Sequence, residues 1–167
     1  MTVEKNLVLD DAQVRQKIRR MSYEIFENNF TEKTIILAGI DGQGYVLAQL
    51  LEEELLAISP LQVIKTRVML DKQSPQKTEI TLDVSSGELK KCVIVLVDDV
   101  LNTGRTLAYG MKPFLSIEVK KIEVAVLVNR SHPLFPVQPN YTGYELSTTM
   151  TDHVEVVLGK KSAVYLH

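Results

Sequence analysis

Two adjacent carboxylates, Asp98 and Asp99, are followed within a few residues by Asn102, Thr103, Gly104, Arg105 and Thr106. Small hydroxyl residues, a glycine and one fixed cation let backbone N–H groups wrap a phosphate at the start of a helix. Carboxylates do not bind phosphate, but they accept hydrogen bonds from a sugar diol beside it. An acid pair next to such a nest therefore suits a ribose 5-phosphate.

These residues need a rigid carrier. The run from Val93 to Val97, VIVLV, is unbroken and aliphatic, as in a parallel strand covered on both faces. It sets the acids at a strand's carboxyl end, where open α/β sheets bind ligands. A helix is expected over 105–115, interrupted near its end by Pro113. A second strand–turn–helix unit precedes it: TIILAGI at 34–40, the turn Asp41, Gly42, Gln43, Gly44, and a helix over about 45–56. That turn reads equally as a second phosphate loop or as a tight turn without ligand.

Asp10 and Gln13 form a capping-box pair that opens a helix running to about residue 28, with Val14, Ile18, Met21 and Ile25 as its buried stripe. Strands are expected over 61–70 and 79–84, joined by the polar segment DKQSPQKT, which suits a mobile lid or an ordinary hairpin loop. A buried strand over 121–128 presents Asn129, Arg130, Ser131 and His132 on the same rim as the acids, His132 being expected as a turn residue bonded to backbone. Three prolines then keep the chain extended, and 152–158 with 163–166 should close it as a hairpin.

With 167 residues, 45% hydrophobic and 24% charged, the chain has the balance of one globular α/β domain over 1–167. A net charge of −2 offers no global attraction to nucleic acid. The start lacks a basic region followed by an apolar run, and nowhere do eighteen apolar residues stand together, so no membrane segment and a cytoplasmic location are expected. Cys92 is the only cysteine, which excludes an internal disulfide and a cysteine metal cluster; a packed, unreactive thiol is expected.

The stretch VIVLVDDVLNTGRT resembles the signature of the type I phosphoribosyltransferases: a hydrophobic strand, two acids, a variable stretch, then Thr-Gly and a small or basic residue. Within them it is most similar to the PyrR group, pyrimidine-operon regulators that are also uracil phosphoribosyltransferases. The likeness continues through NLVLDDAQVRQKIRRMSYEIFENN, ILAGIDGQG, AVLVNRSHPLFP and NYTGYELSTT.

The resemblance implies a central, mainly parallel sheet flanked by helices, with a small hood over a base site. It implies transfer of ribose 5-phosphate from phosphoribosyl pyrophosphate to a nucleobase, most simply uracil, giving UMP and pyrophosphate. Asp98 and Asp99 would be the catalytic acids that hold the ribose hydroxyls and, directly or through water, Mg2+; Asn102, Thr103, Gly104, Arg105 and Thr106 would complete the donor site. Asp41, Gly42 and Gln43 would form the pyrophosphate loop, Lys72 and Lys77 the lid, Arg130 the rim, and Gly143, Tyr144 and Leu146 the hood. Dimers or tetramers are common in the family, and the first helix or the 61–70 stretch would serve as interface or as core.

Several positions depart from the PyrR pattern. Gly42 and Gln43 replace a threonine and a basic residue, the lid is short and lacks a Tyr-Arg pair, and Asn129 replaces an acid. Purine-using members often carry an aspartate immediately before Thr-Gly; here that place is Asn102, which tilts the expectation toward a pyrimidine. Two other readings stay open: an RNA-binding attenuation regulator using Arg15, Arg19 and Arg20 on the first helix, and a purine phosphoribosyltransferase. The acidic balance, with Tyr23 and Asn28 where PyrR chains carry His and Arg, favours the enzyme over the RNA regulator.

Overall fold

The computed structural model describes residues 4–167. A six-stranded sheet carries the molecule, in the order β4-β3-β2-β5-β6-β7, where β2 is Thr34–Ile40, β3 Gln62–Met69, β4 Thr81–Leu82, β5 Val93–Leu101, β6 Lys121–Asn129 and β7 Tyr141–Glu145. All neighbours are parallel except β3 and β4. Alternate side chains of each central strand feed two cores, which is why β5 reads as a continuous apolar run rather than an alternating one.

On one face, Ile35, Leu37, Val93, Val95 and Val97 pack against α1 (Asp11–Asn28) and α2 (Gln43–Ile58). On the other, Ile36, Ile94, Leu96, Val124 and Val126 meet Leu107 and Phe114 from α4 (Arg105–Gly110) and α5 (Lys112–Leu115). The capping box of α1 is formed in both directions, Asp10 Oδ1 accepting from Gln13 N–H and Gln13 Oε1 from Asp10 N–H, each at 2.9 Å. Its stripe of Val14, Ile18, Met21 and Ile25 is buried in the first core.

A separate three-stranded sheet, β1-β9-β8, combines β1 (Asn6–Leu9) with the closing hairpin of β8 (Val154–Val157) and β9 (Ala163–Leu166). Leu158 N–H donates to Gln43 Oε1 at 2.8 Å and Ser162 N–H to Asp11 Oδ1 at 2.7 Å, so this small sheet is tied to the first residues of α2 and α1.

Three expectations are corrected. The helix over 105–115 is two short helices that meet at Met111, because Pro113 lacks the N–H that would continue the ladder of the first and is accommodated in the opening turn of the second. The strand over 79–84 shrinks to Thr81–Leu82. Gly143 and Tyr144, named for the hood, are strand residues: they lie in β7, the edge of the central sheet, with Leu146 just beyond it. Gly143 is pressed between Leu127 and Met21, and its carbonyl accepts from Arg20 at 2.6 Å.

The candidate site at the switch point of the sheet

From the β2/β5 boundary, β2 runs on to β3 in one direction and β5 to β6 in the other. Such a reversal of winding leaves a crevice at the carboxyl ends of the two strands, where open α/β sheets bind ligands. Pairing between β2 and β5 ends at Gly39 and Val97, so Asp98 is the first residue past the closed ladder.

Asp98 is buried while Asp99 is half-buried. Asp98 Oδ1 accepts from Asp99 N–H at 2.9 Å. Burial, then the neighbouring Asp99 charge, pushes the Asp98 carboxyl well above the usual carboxylate range, while Lys72, 3.7 Å away, pulls it down. Hydroxyl donors or a cation arriving at such a carboxyl would favour its charged form and offset the cost of its burial.

The next residues turn tightly. Gly104 sits in the left-handed region at φ 86°, and a Cβ there would come within 3.3 Å of Phe135 O and Val137 Cβ. This glycine starts α4 without a side-chain cap, leaving the first N–H groups of the helix directed out of the loop. Arg105 N–H is near Thr103 Oγ1 at 3.3 Å. A cleft of about 40 Å³ lined by Asp98 and by Asn102, Thr103, Gly104, Arg105 and Thr106 lies along this turn.

The second loop abuts the first. Gly42, at φ 96°, starts α2 without a side-chain cap. A Cβ on Gly44 would lie 3.0 Å from Asp98 Oδ1 and 2.9 Å from Val97 O, so the absence of a side chain lets the start of α2 rest on the acid. The Gln43 side chain is engaged by the small sheet, its Oε1 accepting from Leu158 N–H. Asp41 pairs with Arg67 at 3.6 Å.

The other predicted residues divide. Lys72 reaches Asp98, and Arg105 donates to Gln76 at 3.0 Å, so the 71–78 segment is tied down at two points. Lys77 is exposed and joins no ion pair among the described residues. Arg130 is not a free rim cation: it is buried, and its guanidinium donates to Thr148 Oγ1 and to the carbonyls of Thr149 and Asp152, holding the 148–152 segment. His132 Nε2 lies 3.0 Å from the Thr148 carbonyl, a backbone contact made across the chain rather than within a turn. Arg15, Arg19 and Arg20 are exposed on α1, but each faces an acid, Asp11, Glu54 and Glu24 respectively.

Sequence reasoning overlooked the pocket walls. A cavity of about 400 Å³ opens beside Asn102 and Thr103, bounded by Arg130, His132, Leu134 and the exposed Met150. Nothing in the local pattern of Leu134 or Met150 marks them, since both come from irregular segments brought together by the Arg130 bonds. Gly44, expected as the last residue of the turn, lies instead in the first turn of α2, where its missing side chain permits the close approach to Asp98.

The phosphoribosyl transferase domain family model matches residues 7–159. The Bifunctional protein PyrR of Fusobacterium nucleatum subsp. nucleatum is 34% identical over 179 aligned positions, covering 99% of this chain and 100% of that one. The Bifunctional protein PyrR of Streptococcus thermophilus is 32% identical over 162 positions, covering 93% and 91%. Among solved structures, a hypoxanthine-guanine phosphoribosyltransferase from Bacillus anthracis superposes with a TM-score of 0.71 at 14% identity, covering 88% of this chain and 85% of its own. The hypoxanthine phosphoribosyltransferase of Trypanosoma cruzi gives 0.73 at 13%, covering 84% and 81%. The structural likeness concerns the fold; the family model and end-to-end identity with the PyrR proteins go further, and by them this chain belongs to the phosphoribosyltransferase family.

Proposed function

We propose that this phosphoribosyltransferase moves ribose 5-phosphate from phosphoribosyl pyrophosphate to uracil, giving UMP and pyrophosphate. One observation carries the reading: a buried acid, Asp98, sits between an uncapped glycine loop at α4 and a second uncapped glycine loop at α2. A donor with a phosphate at each end of a ribose matches that order. The 5-phosphate would take the N–H groups at 103–106, the ribose hydroxyls would donate to Asp98 and Asp99, and the pyrophosphate would lie along 41–44.

In the reaction the C1–O bond to pyrophosphate breaks, a C1–N bond to the base forms, and the ring N–H proton leaves. The sugar gains positive charge as the first bond lengthens, so carboxylates beside it stabilise the transition state more than the ground state. The segment 71–78, tied to Asp98 and Arg105, would exclude water that competes with the base.

The donor set suits magnesium. Two carboxylates are what the chain offers at the crevice, and Mg2+ commonly binds through one or two carboxylates together with substrate phosphates and water. Asp98 and Asp99 would hold the ion, which when bound supplies charge screening of the leaving pyrophosphate.

For the base, Asn102 at the edge of the 400 Å³ cavity offers an amide, with no carboxylate to take a proton from a purine ring. Incubation with donor, magnesium and each base in turn should give nucleotide from uracil at least ~10-fold faster than from hypoxanthine or guanine, a ratio typical of pocket discrimination. Faster product from a purine would move the assignment to a purine enzyme.

The word "Bifunctional" in the relatives' names favours a second activity, and the exposed arginines of α1 are its nearest candidate for RNA contact. Each arginine, however, already faces an acid on α1 or α2. We expect only weak retention of a pyrimidine leader RNA in filter binding. Tight binding that falls steeply between low and physiological salt would establish the regulator instead.

A further inference from the structure

The loop at 41–44 carries no cation of its own, and a strand beside it brings one. Arg67 of β3 pairs in register with Gly39 of β2, just ahead of the loop. Its backbone N–H donates to Asp83 Oδ1 at 2.9 Å, which fixes this part of the strand. Its guanidinium lies over the ring of Tyr45, in the first turn of α2, 4.2 Å from the centroid, and Nη1 stands 3.6 Å from Asp41 Oδ1. Stacking on a ring fixes the plane of a guanidinium while leaving its edge donors free, the arrangement best suited to grip a phosphate bidentately. The side chain is 43% exposed, so those donors are open to a ligand.

Lys72, just past the end of β3, stands 3.7 Å from Asp98 Oδ1. Gly44, in the first turn of α2, rests on the same acid. β3 and the residues just after it thus bring two cations to the site, one beside Asp41 of the 41–44 loop and one beside Asp98. Asp41 holds Arg67 in place and, being negative, opposes an anion arriving there.

We propose that Arg67 binds the pyrophosphate of the donor, supplying from β3 the charge that the 41–44 loop lacks. The assignment rests on the phosphoribosyl-transfer reading above. It separates ligands that carry pyrophosphate from those that do not: UMP has the ribose and the 5-phosphate but offers nothing for Arg67.

Calorimetric titration of the full chain with phosphoribosyl pyrophosphate, inorganic pyrophosphate and UMP, each with magnesium, tests this. Arg67→Gln should weaken the first two by about 10- to 100-fold, the scale of a lost charge-assisted hydrogen bond, and leave UMP within about two-fold. Asp41→Asn should act in the opposite direction and tighten inorganic pyrophosphate by a few-fold. Equal losses for all three ligands in Arg67→Gln would reduce the residue to a support for Tyr45, and unchanged donor binding would remove it from the site; either overturns the proposal. If the unmodified chain binds none of the three, the transfer reading itself falls and Arg67 with it. Thermal melts of each variant check that the half-exposed substitutions leave the fold intact.

Discussion

Replacing Asp98 and Asp99 together by Asn should cut nucleotide formation by ~1,000-fold or more while making the protein more stable. The loss follows from removing two charged acceptors beside a cationic sugar, each worth about 1.5–3 kcal/mol as a hydrogen-bond partner and more where charge develops. The gain follows from burial. Asp98 is 3% exposed and its carboxyl is pushed well above the usual range, first by desolvation and then by Asp99. A group whose folded pKa is raised binds protons more readily in the native state, so stability falls as pH rises through the folded value. Removing that group should stabilise the chain at neutral pH by about 1–3 kcal/mol, as when a buried ion is replaced by a neutral group. Lys72 loses its partner in this variant but is 46% exposed and can hydrate. Urea melts at neutral and acid pH measure the difference, which should shrink as acid neutralises Asp98 in the parent. Full activity in the double variant would end the assignment of these residues.

What made the acid pair legible was locality. The strand, the carboxylates and the glycine turn lie within one continuous segment, and periodicity, burial and turn chemistry all act over that range. The same holds for α1, whose capping box and stripe are separated by single helical turns. The misplacements involve partners far apart in sequence. β1 is four residues long, and its pairing is to β9, near the other end of the chain, so no local alternation announces it. Strand β7 has only the resemblance of NYTGYELSTT to speak for it in sequence, and that points to a hood; Gly143 is there because Leu127 O lies 2.6 Å from where its Cβ would be.

Side-chain fates were less legible still. Arg130 was placed correctly at the end of β6, yet its direction depends on carbonyls at Thr149 and Asp152 that only the folded chain brings near. The three arginines of α1 met acids on α1 and α2, where spacing reveals the i,i+4 pairs with Asp11 and Glu24 but not the contact with Glu54. Arg67 is the converse: a cation missing from its expected loop and present one strand away. Parallel register, with Gly39 opposite Arg67, makes that relocation physically equivalent, because neighbouring strands end at one rim.

Gly44→Ala should be the most damaging single change that removes no functional group. The new methyl would lie 2.9 Å from Val97 O, 3.0 Å from Asp98 Oδ1 and 3.1 Å from Asp98 Cα, contacts that require α2 to retreat or Asp98 to turn. Alanine favours the helix by about 1 kcal/mol, and overpacking costs about 1–3 kcal/mol, so net stability should change little. Activity should not escape so lightly. A displacement on the order of 1 Å between the two loops would mismatch the ribose hydroxyls and the pyrophosphate, and such misplacement costs about 100-fold in rate. Steady-state kinetics should therefore show kcat/KM for the donor falling by ~100-fold in a protein that melts within a few degrees of the parent. Gly87→Ala is the control, since no atom lies within 4 Å of the added Cβ and that glycine sits in the short helix Ser86–Leu89, outside both loops. If Gly44→Ala kept parental kinetics, the two loops would not need their close approach. The fold would then hold the acids and α2 together for packing alone, and a ligand spanning both would lose its structural basis.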